Sequence, residues 1–105
     1  MNQELYERLK KVAERLKNDY KAEKVILFGS HAKGEATWES DVDLLIIAPT
    51  RERFFERMAT VRGLIRDLRN GLAIAPVVLT REEVEKRVKM GDQFVQEVLE
   101  QGIVL

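Results

Sequence analysis

Apolar residues recur every three or four positions along two long stretches of the chain, 3–20 and 51–69, with charged residues between them. This periodicity is that of amphipathic helices, each with one apolar stripe facing a core. Thr50 is the predicted N-cap of the second helix, and Asn70-Gly71 is its predicted end. We therefore expect one uninterrupted helix over 51–69.

A third helical segment begins at a capping box. Thr80 is followed three residues later by Glu83, a pairing that satisfies two amide donors at a helix start. The pattern predicts a helix from residue 81, interrupted at Gly91-Asp92, and a further helix that runs to residue 100.

Other apolar residues form continuous runs, over 24–28, 42–48 and 72–79, with a short one at 103–105. Continuous runs bounded by glycine and proline predict buried strands. Only a short polar connector separates the first two runs, so we expect them to pair in an antiparallel or mixed sheet. Pro76 cannot donate to a strand ladder, which places the third strand at or near a sheet edge. The predicted fold class is α+β, a small mixed sheet flanked by helices.

Composition narrows the class of protein. A chain of 105 residues predicts one domain over 1–105. Lys and Arg total 18, as do Asp and Glu, and this balance argues against direct nucleic-acid binding. There is no cysteine, no apolar run of roughly 20 residues to span a membrane, and no secretion signal. The expectation is a cytoplasmic protein that does not enter membranes.

A glycine-serine pair, Gly29-Ser30, directly follows the first apolar run. Glycine lacks the Cβ that keeps a backbone away from a phosphate group, and Ser30 adds a hydroxyl at the start of a predicted helical turn over Ser30–Lys33. Gly34 is expected to end this turn. The alternative is that Gly29-Ser30 is an ordinary turn with no role in binding.

Two acids stand in alternation, Asp41 and Asp43, where the second apolar run begins. Residues two apart in an extended chain point to the same side, so their carboxylates should stand together. Mg²⁺ takes oxygen ligands and commonly binds one or two carboxylates, with substrate phosphates and water completing its shell. The alternative is that Asp41 caps a turn and Asp43 is solvated.

The combination of Gly29-Ser30, ten intervening residues and Asp41-Val42-Asp43 resembles the signature of the nucleotidyltransferase superfamily related to DNA polymerase β. The closer resemblance is to its minimal nucleotidyltransferase (MNT) group, and it covers essentially the whole chain. Supporting features are spread along the sequence: Ala32, Gly34, Ser40, the run 44–47 and the ending 100–105.

The resemblance implies transfer of a nucleoside monophosphate, AMP from ATP, to a hydroxyl on a partner protein, with one or two Mg²⁺ ions. It also implies that Gly29 and Ser30 bind the phosphates and that Asp41 and Asp43 are the catalytic metal ligands. Lys33 either faces the triphosphate or is solvated. Such proteins pair with a HEPN-domain partner in toxin–antitoxin systems, in which the MNT member is the antitoxin, and a homodimer or hetero-oligomer is plausible.

One departure from the family pattern concerns a third acid, which active members carry on the next core strand. Aligning 72–79 with that strand puts Ala75 at this position, and no acid occurs between Asp67 and Glu82. Two alternatives follow: an NTP-binding module that neutralises its partner by binding alone, or an ordinary scaffold domain with Asp41 and Asp43 on its surface.

Three other features have open interpretations. His31 is either a phosphate contact or a partly exposed turn residue, and Trp38 either meets a base or partner or folds over the sheet edge. The arginines of 51–69 form either a solvated charged face or a docking surface for an acidic protein or nucleic acid.

Overall fold

The computed structural model describes residues 2–105. Its elements, in chain order, are α1 (Gln3–Asp19), β1 (Lys24–Phe28), α2 (Ser30–Lys33), β2 (Val42–Ile47), α3 (Phe54–Leu64), α4 (Arg66–Arg69), β3 (Ile74–Leu79), α5 (Arg81–Lys89), α6 (Gln93–Gln101) and β4 (Ile103–Val104). Within residues 2–105, no helix is both long enough and apolar enough to cross a membrane.

The strands form one mixed sheet in the order β3-β2-β1-β4. The first two strands, β1 and β2, are antiparallel, as the short connector between them predicts, and β1 is also antiparallel to β4. The third strand lies at the sheet edge and runs parallel to β2, which confirms the position predicted from Pro76. The α+β fold with a small mixed sheet is thereby confirmed.

Helices cover both faces of this sheet. On one face, which we call the α1 face, Leu27 and Leu44 pack with Leu9 of α1 and Val61 of α3. On the opposite face, the α6 face, strand residues pack with α5 and α6; this cluster consists of Ile26, Leu45, Ile47, Leu79, Val84, Val95 and Val98. Both central strands are therefore buried on both sides, which explains why their sequences are continuously apolar.

The prediction for 51–69 was wrong in two respects. Thr50 is not an N-cap: its hydroxyl accepts the Glu52 amide within a turn, and the helix begins at Phe54 after Arg53, whose side chain makes no capping bond. The segment also divides at Ile65, where φ is −109°, into α3 and α4. The end at Asn70, in the left-handed conformation, and the capping box at α5 are as predicted.

Arg57 of α3 is buried and acts in the fold, whereas Arg53 and Arg62 are exposed. Its Nη1 atom donates to the Glu83 carboxylate at 2.6 Å and to the carbonyl of Val78 at 3.2 Å. Its Nε atom donates to the Glu52 carbonyl at 2.9 Å. This one side chain therefore ties α3 to β3 and to the first turn of α5.

Candidate active site

Gly29 forms a tight turn between β1 and α2, at the edge of the α6 face. Its backbone has φ 74° and ψ −153°, a combination that is essentially restricted to glycine. A Cβ atom placed here would collide with a carboxylate oxygen of Asp43 and lie 3.2 Å from its Cγ. The turn and the acid are thus in direct contact across the two antiparallel strands.

Strand register explains that contact. Phe28, the last residue of β1, is the cross-strand partner of Asp43 in β2. Side chains alternate along β2, so Asp43 lies on the α6 face between Val42 and Leu44, which pack on the α1 face. Asp41 precedes the strand by one residue and has the same parity.

The electrostatics of Asp43 indicate that the two acids influence each other. Partial burial raises the pKa of the Asp43 carboxyl, the negative charge of Asp41 raises it further, and His31 opposes both effects. A carboxylate held half-buried beside a second carboxylate is disfavoured unless a cation neutralises the pair. The structure therefore brings Gly29, Asp41, Asp43 and His31 into one neighbourhood.

His31 connects the two halves of this neighbourhood. Its Nε2 atom lies 3.3 Å from the carbonyl oxygen of Ser40, the residue that precedes Asp41. Ser40 itself is held in a turn, because its hydroxyl accepts the Thr37 amide at 2.9 Å. His31 thus positions the connector that carries Asp41, a role that sequence reasoning did not identify.

Ser30 and His31 are the first residues of α2, so their amides have no acceptor within the helix. This turn of helix ends at Gly34, in the left-handed conformation, as predicted. The amides and the Ser30 hydroxyl adjoin the Gly29 turn, which is the arrangement expected of a phosphate-binding turn.

Lys33 pairs with Glu97, an acid that no local sequence pattern identifies as its partner. Its Nζ atom lies 3.1 Å from the Glu97 carboxylate of α6, and both side chains are about half exposed. Helical spacing in α6 marks Glu97 only as an exposed position, because no local signal connects residues 33 and 97. Lys33 therefore lies against α6.

Ala75 is the register partner of Asp43 in the parallel pairing of β2 with β3. Paired residues of neighbouring strands point to the same side, so the Ala75 methyl group lies beside Asp43 on the α6 face. Within residues 2–105, no three His, Cys, Asp or Glu side chains lie close enough together to hold a metal ion between them. The site therefore has the two acids, and at the third position an alanine.

Trp38 is 92% exposed in the connector between α2 and β2. This exposure excludes the interpretation that it folds over the sheet edge. It is available to a base or a partner.

The chain is similar to known proteins over nearly its whole length. A family model described as "Nucleotidyltransferase domain" matches residues 9–105. A Methanocaldococcus jannaschii protein named "Putative protein adenylyltransferase MJ0604" is 35% identical over 107 aligned positions, which cover 100% of this chain and 99% of the relative. A second protein of that organism, "Putative protein adenylyltransferase MJ0141", is 32% identical over 79% of this chain and 78% of the relative.

Proposed function

Because the chain belongs to the nucleotidyltransferase domain family, we propose that it transfers AMP from ATP to a hydroxyl group on a partner protein. The observation that carries the proposal is the direct contact between the Gly29 turn and the Asp43 carboxylate. Because of that contact, a turn that can bind phosphate lies directly beside a carboxylate that can bind a divalent cation.

In the proposed reaction the acceptor oxygen forms a bond to the α-phosphorus, and the bond from that phosphorus to the bridging oxygen breaks. Pyrophosphate leaves with the electron pair of the broken bond, and the proton of the acceptor hydroxyl passes to solvent water. Gly29 and Ser30 hold the β- and γ-phosphates through backbone amides and the Ser30 hydroxyl. By fixing the leaving group, they align the α-phosphorus for in-line attack.

Asp41 and Asp43 are the proposed ligands of Mg²⁺, which would neutralise negative charge on the phosphates. Their chemistry fits one ion whose remaining ligands are phosphate oxygens and water. Burial first and then the charge of Asp41 raise the pKa of the Asp43 carboxyl, and a cation bound between the two acids would offset both effects. A second ion, as the family resemblance implies, would need a further ligand, since Ala75 occupies the position of the third acid.

A protein acceptor is supported by the names of the relatives, both of which are described as protein adenylyltransferases. The resemblance to MNT antitoxins suggests a HEPN-domain protein as the partner. The 92% exposed Trp38, three residues before Asp41, provides a contact for such a partner beside the proposed metal site.

The test is to incubate the protein with Mg²⁺, ATP labelled in its α-phosphate, and a HEPN-domain protein encoded beside it. We expect label on the partner, and no label with the Asp41→Asn or Asp43→Asn variant. Asp19→Asn is the matched control, because Asp19 is an exposed aspartate at the end of α1, and it should transfer as the wild type does. Absence of transfer by the wild type, with the partner present and folded, would contradict the proposal.

Ala75 favours one alternative function, a module that binds a nucleotide and neutralises its partner without transfer. The two functions differ in the same experiment. Under the alternative, the Asp41→Asn and Asp43→Asn variants still suppress the partner's activity, and the partner never acquires label.

A further inference from the structure

A cavity of about 200 Å³ lies between α2 and α6, beside the candidate active site. Gly29 belongs to both the cavity wall and the site, and Phe28 lines the cavity while pairing with Asp43 across the strands. Pockets that bury whole drug-sized ligands measure roughly 300–1,000 Å³, so this cavity suits part of a nucleotide.

We infer that this cavity holds the nucleobase of the NTP whose phosphates lie at the Gly29 turn. The inference rests on the proposed function, since it assumes that turn binds phosphate. Because Gly29 belongs to both the cavity wall and the turn, one nucleotide can place its base in the cavity and its phosphates at the turn. Asp41, Asp43 and His31 do not line the cavity, so its role can be tested separately from theirs.

The walls have the chemistry that a flat heteroaromatic ring requires. Phe28 and Phe94 meet edge to face, with ring centroids 5.3 Å apart, and Phe94 remains 40% exposed. Nucleobases stack favourably on aromatic side chains. A phosphate group would find phenyl rings and the negative charge of Glu97 here, so the cavity does not suit the triphosphate itself.

The polar groups of the cavity, Lys33, Glu97 and Gln101, predict a base preference. The Lys33–Glu97 pair is half exposed, and exposed ion pairs contribute little to stability, so exchanging its partners costs little. When a nucleotide binds, Lys33 turns to the phosphates, and Glu97 accepts a hydrogen bond from the base. Adenine can donate its exocyclic amino group to the Glu97 carboxylate, whereas the N3–H donor of uracil lies between two carbonyl oxygens that repel a carboxylate, so ATP binds more tightly than UTP.

Calorimetric titration of the full chain with Mg²⁺ and three probes tests this assignment: ATP, UTP and inorganic tripolyphosphate, which has the phosphates without a base. We expect Phe94→Ala to weaken ATP binding about tenfold and to leave tripolyphosphate binding unchanged. Phe55→Ala, at an exposed phenylalanine of α3, is the matched control and should bind all three probes normally.

A second variant covers the possibility that Phe94→Ala unfolds the protein. Glu97 is on the surface, and we expect Glu97→Ala to reduce the preference for ATP over UTP from about tenfold to less than threefold. Glu100→Ala, on the same helix, should retain the preference.

The outcomes separate this inference from the proposed function. If the wild type binds neither ATP nor tripolyphosphate, both are wrong. If ATP binds and Asp43→Asn abolishes its binding, whereas Phe94→Ala and Glu97→Ala bind ATP and UTP as the wild type does, only the nucleobase assignment is overturned.

Discussion

Asp43 and Ala75 are paired residues of neighbouring parallel strands, and both side chains lie on the α6 face of the sheet. Replacing Ala75 by aspartate would put a third carboxylate at the position where the family resemblance predicts one. The aspartate side chain is short, and position 75 is half-buried on the edge strand. The backbone pairing of β3 with β2 therefore does not need to change.

We predict that Ala75→Asp strengthens Mg²⁺ binding and increases transfer to the partner at least tenfold, because a third oxygen ligand holds the cation more firmly. Calorimetry with Mg²⁺ and the transfer assay measure the two effects. Ala75→Asn is the matched control, as it has the same size without the charge. Equal rates for both variants would mean that charge at this position does not limit the reaction.

Asp43→Asn should make the metal-free protein slightly more stable, although it removes a proposed ligand. Burial and the charge of Asp41 both disfavour the ionised Asp43 side chain in the folded state. An uncharged amide of the same shape relieves that cost, and we expect a small gain in the free energy of unfolding, because solvent screens the charge of this partly exposed carboxyl.

Urea denaturation at pH 7 in the presence of a chelator measures this gain, and Asp19→Asn provides the comparison. With saturating Mg²⁺ and ATP the order should reverse, because ligands that bind only the folded wild type stabilise it. If Asp43→Asn were less stable than the wild type in chelator, the Asp43 carboxylate would stabilise the fold rather than destabilise it.

Much of the fold follows from local patterns, because those patterns have local causes. Continuous apolar runs gave the strands, Pro76 gave the edge position of β3, and the Thr80 capping box gave the start of α5. The helix boundary at Phe54 did not follow, since it depends on where Glu52 is held. Hydroxyl groups of Tyr20, Thr50 and Thr60 donate to its carboxylate, and the Tyr20 donor is 32 residues away in the sequence.

The features of the candidate site likewise divide into those that local sequence patterns predict and those that they do not. The closeness of Asp41 to Asp43 follows from strand alternation, because residues two apart in an extended chain point to the same side. The pairing of Lys33 with Glu97 and the position of His31 against Ser40 depend on how separate elements pack. Only the three-dimensional structure contains those relationships.

Gly29→Ala should both destabilise the protein and abolish nucleotide binding. Alanine meets two penalties here, a backbone with φ 74° and a collision between its Cβ and the Asp43 carboxylate. We expect a loss of about 2–3 kcal/mol in the free energy of unfolding. Gly34→Ala is the matched control: its φ is 72°, but nothing lies within 4 Å of a Cβ there.

The difference between the two variants isolates the contact with Asp43. We expect Gly34→Ala to lose about 1 kcal/mol and to retain nucleotide binding. If the two glycine variants were equally stable and both bound ATP, the Gly29 backbone would not contact the Asp43 carboxylate in solution.

The ion pair between Arg57 and Glu83 makes stability depend on acid pH. The hydrogen bonds that Arg57 donates lower the pKa of the Glu83 carboxyl below the ordinary glutamate value, and partial burial opposes this only in part. Because the folded-state pKa is the lower one, the stabilisation is present above the ordinary glutamate pKa. It is lost as the pH falls through the folded-state value.

We therefore expect the unfolding free energy of the wild type to fall more steeply below about pH 4.5 than that of Glu83→Gln, which cannot titrate. Glu82→Gln, at an exposed glutamate in the same turn, should follow the wild type. Arg57→Ala should cost about 2–3 kcal/mol at pH 7, because it removes the hydrogen bonds to the Val78 and Glu52 carbonyls and leaves Glu83 without its partner. Parallel pH profiles for all three proteins would show that Arg57 stabilises α3 through packing rather than through its charge.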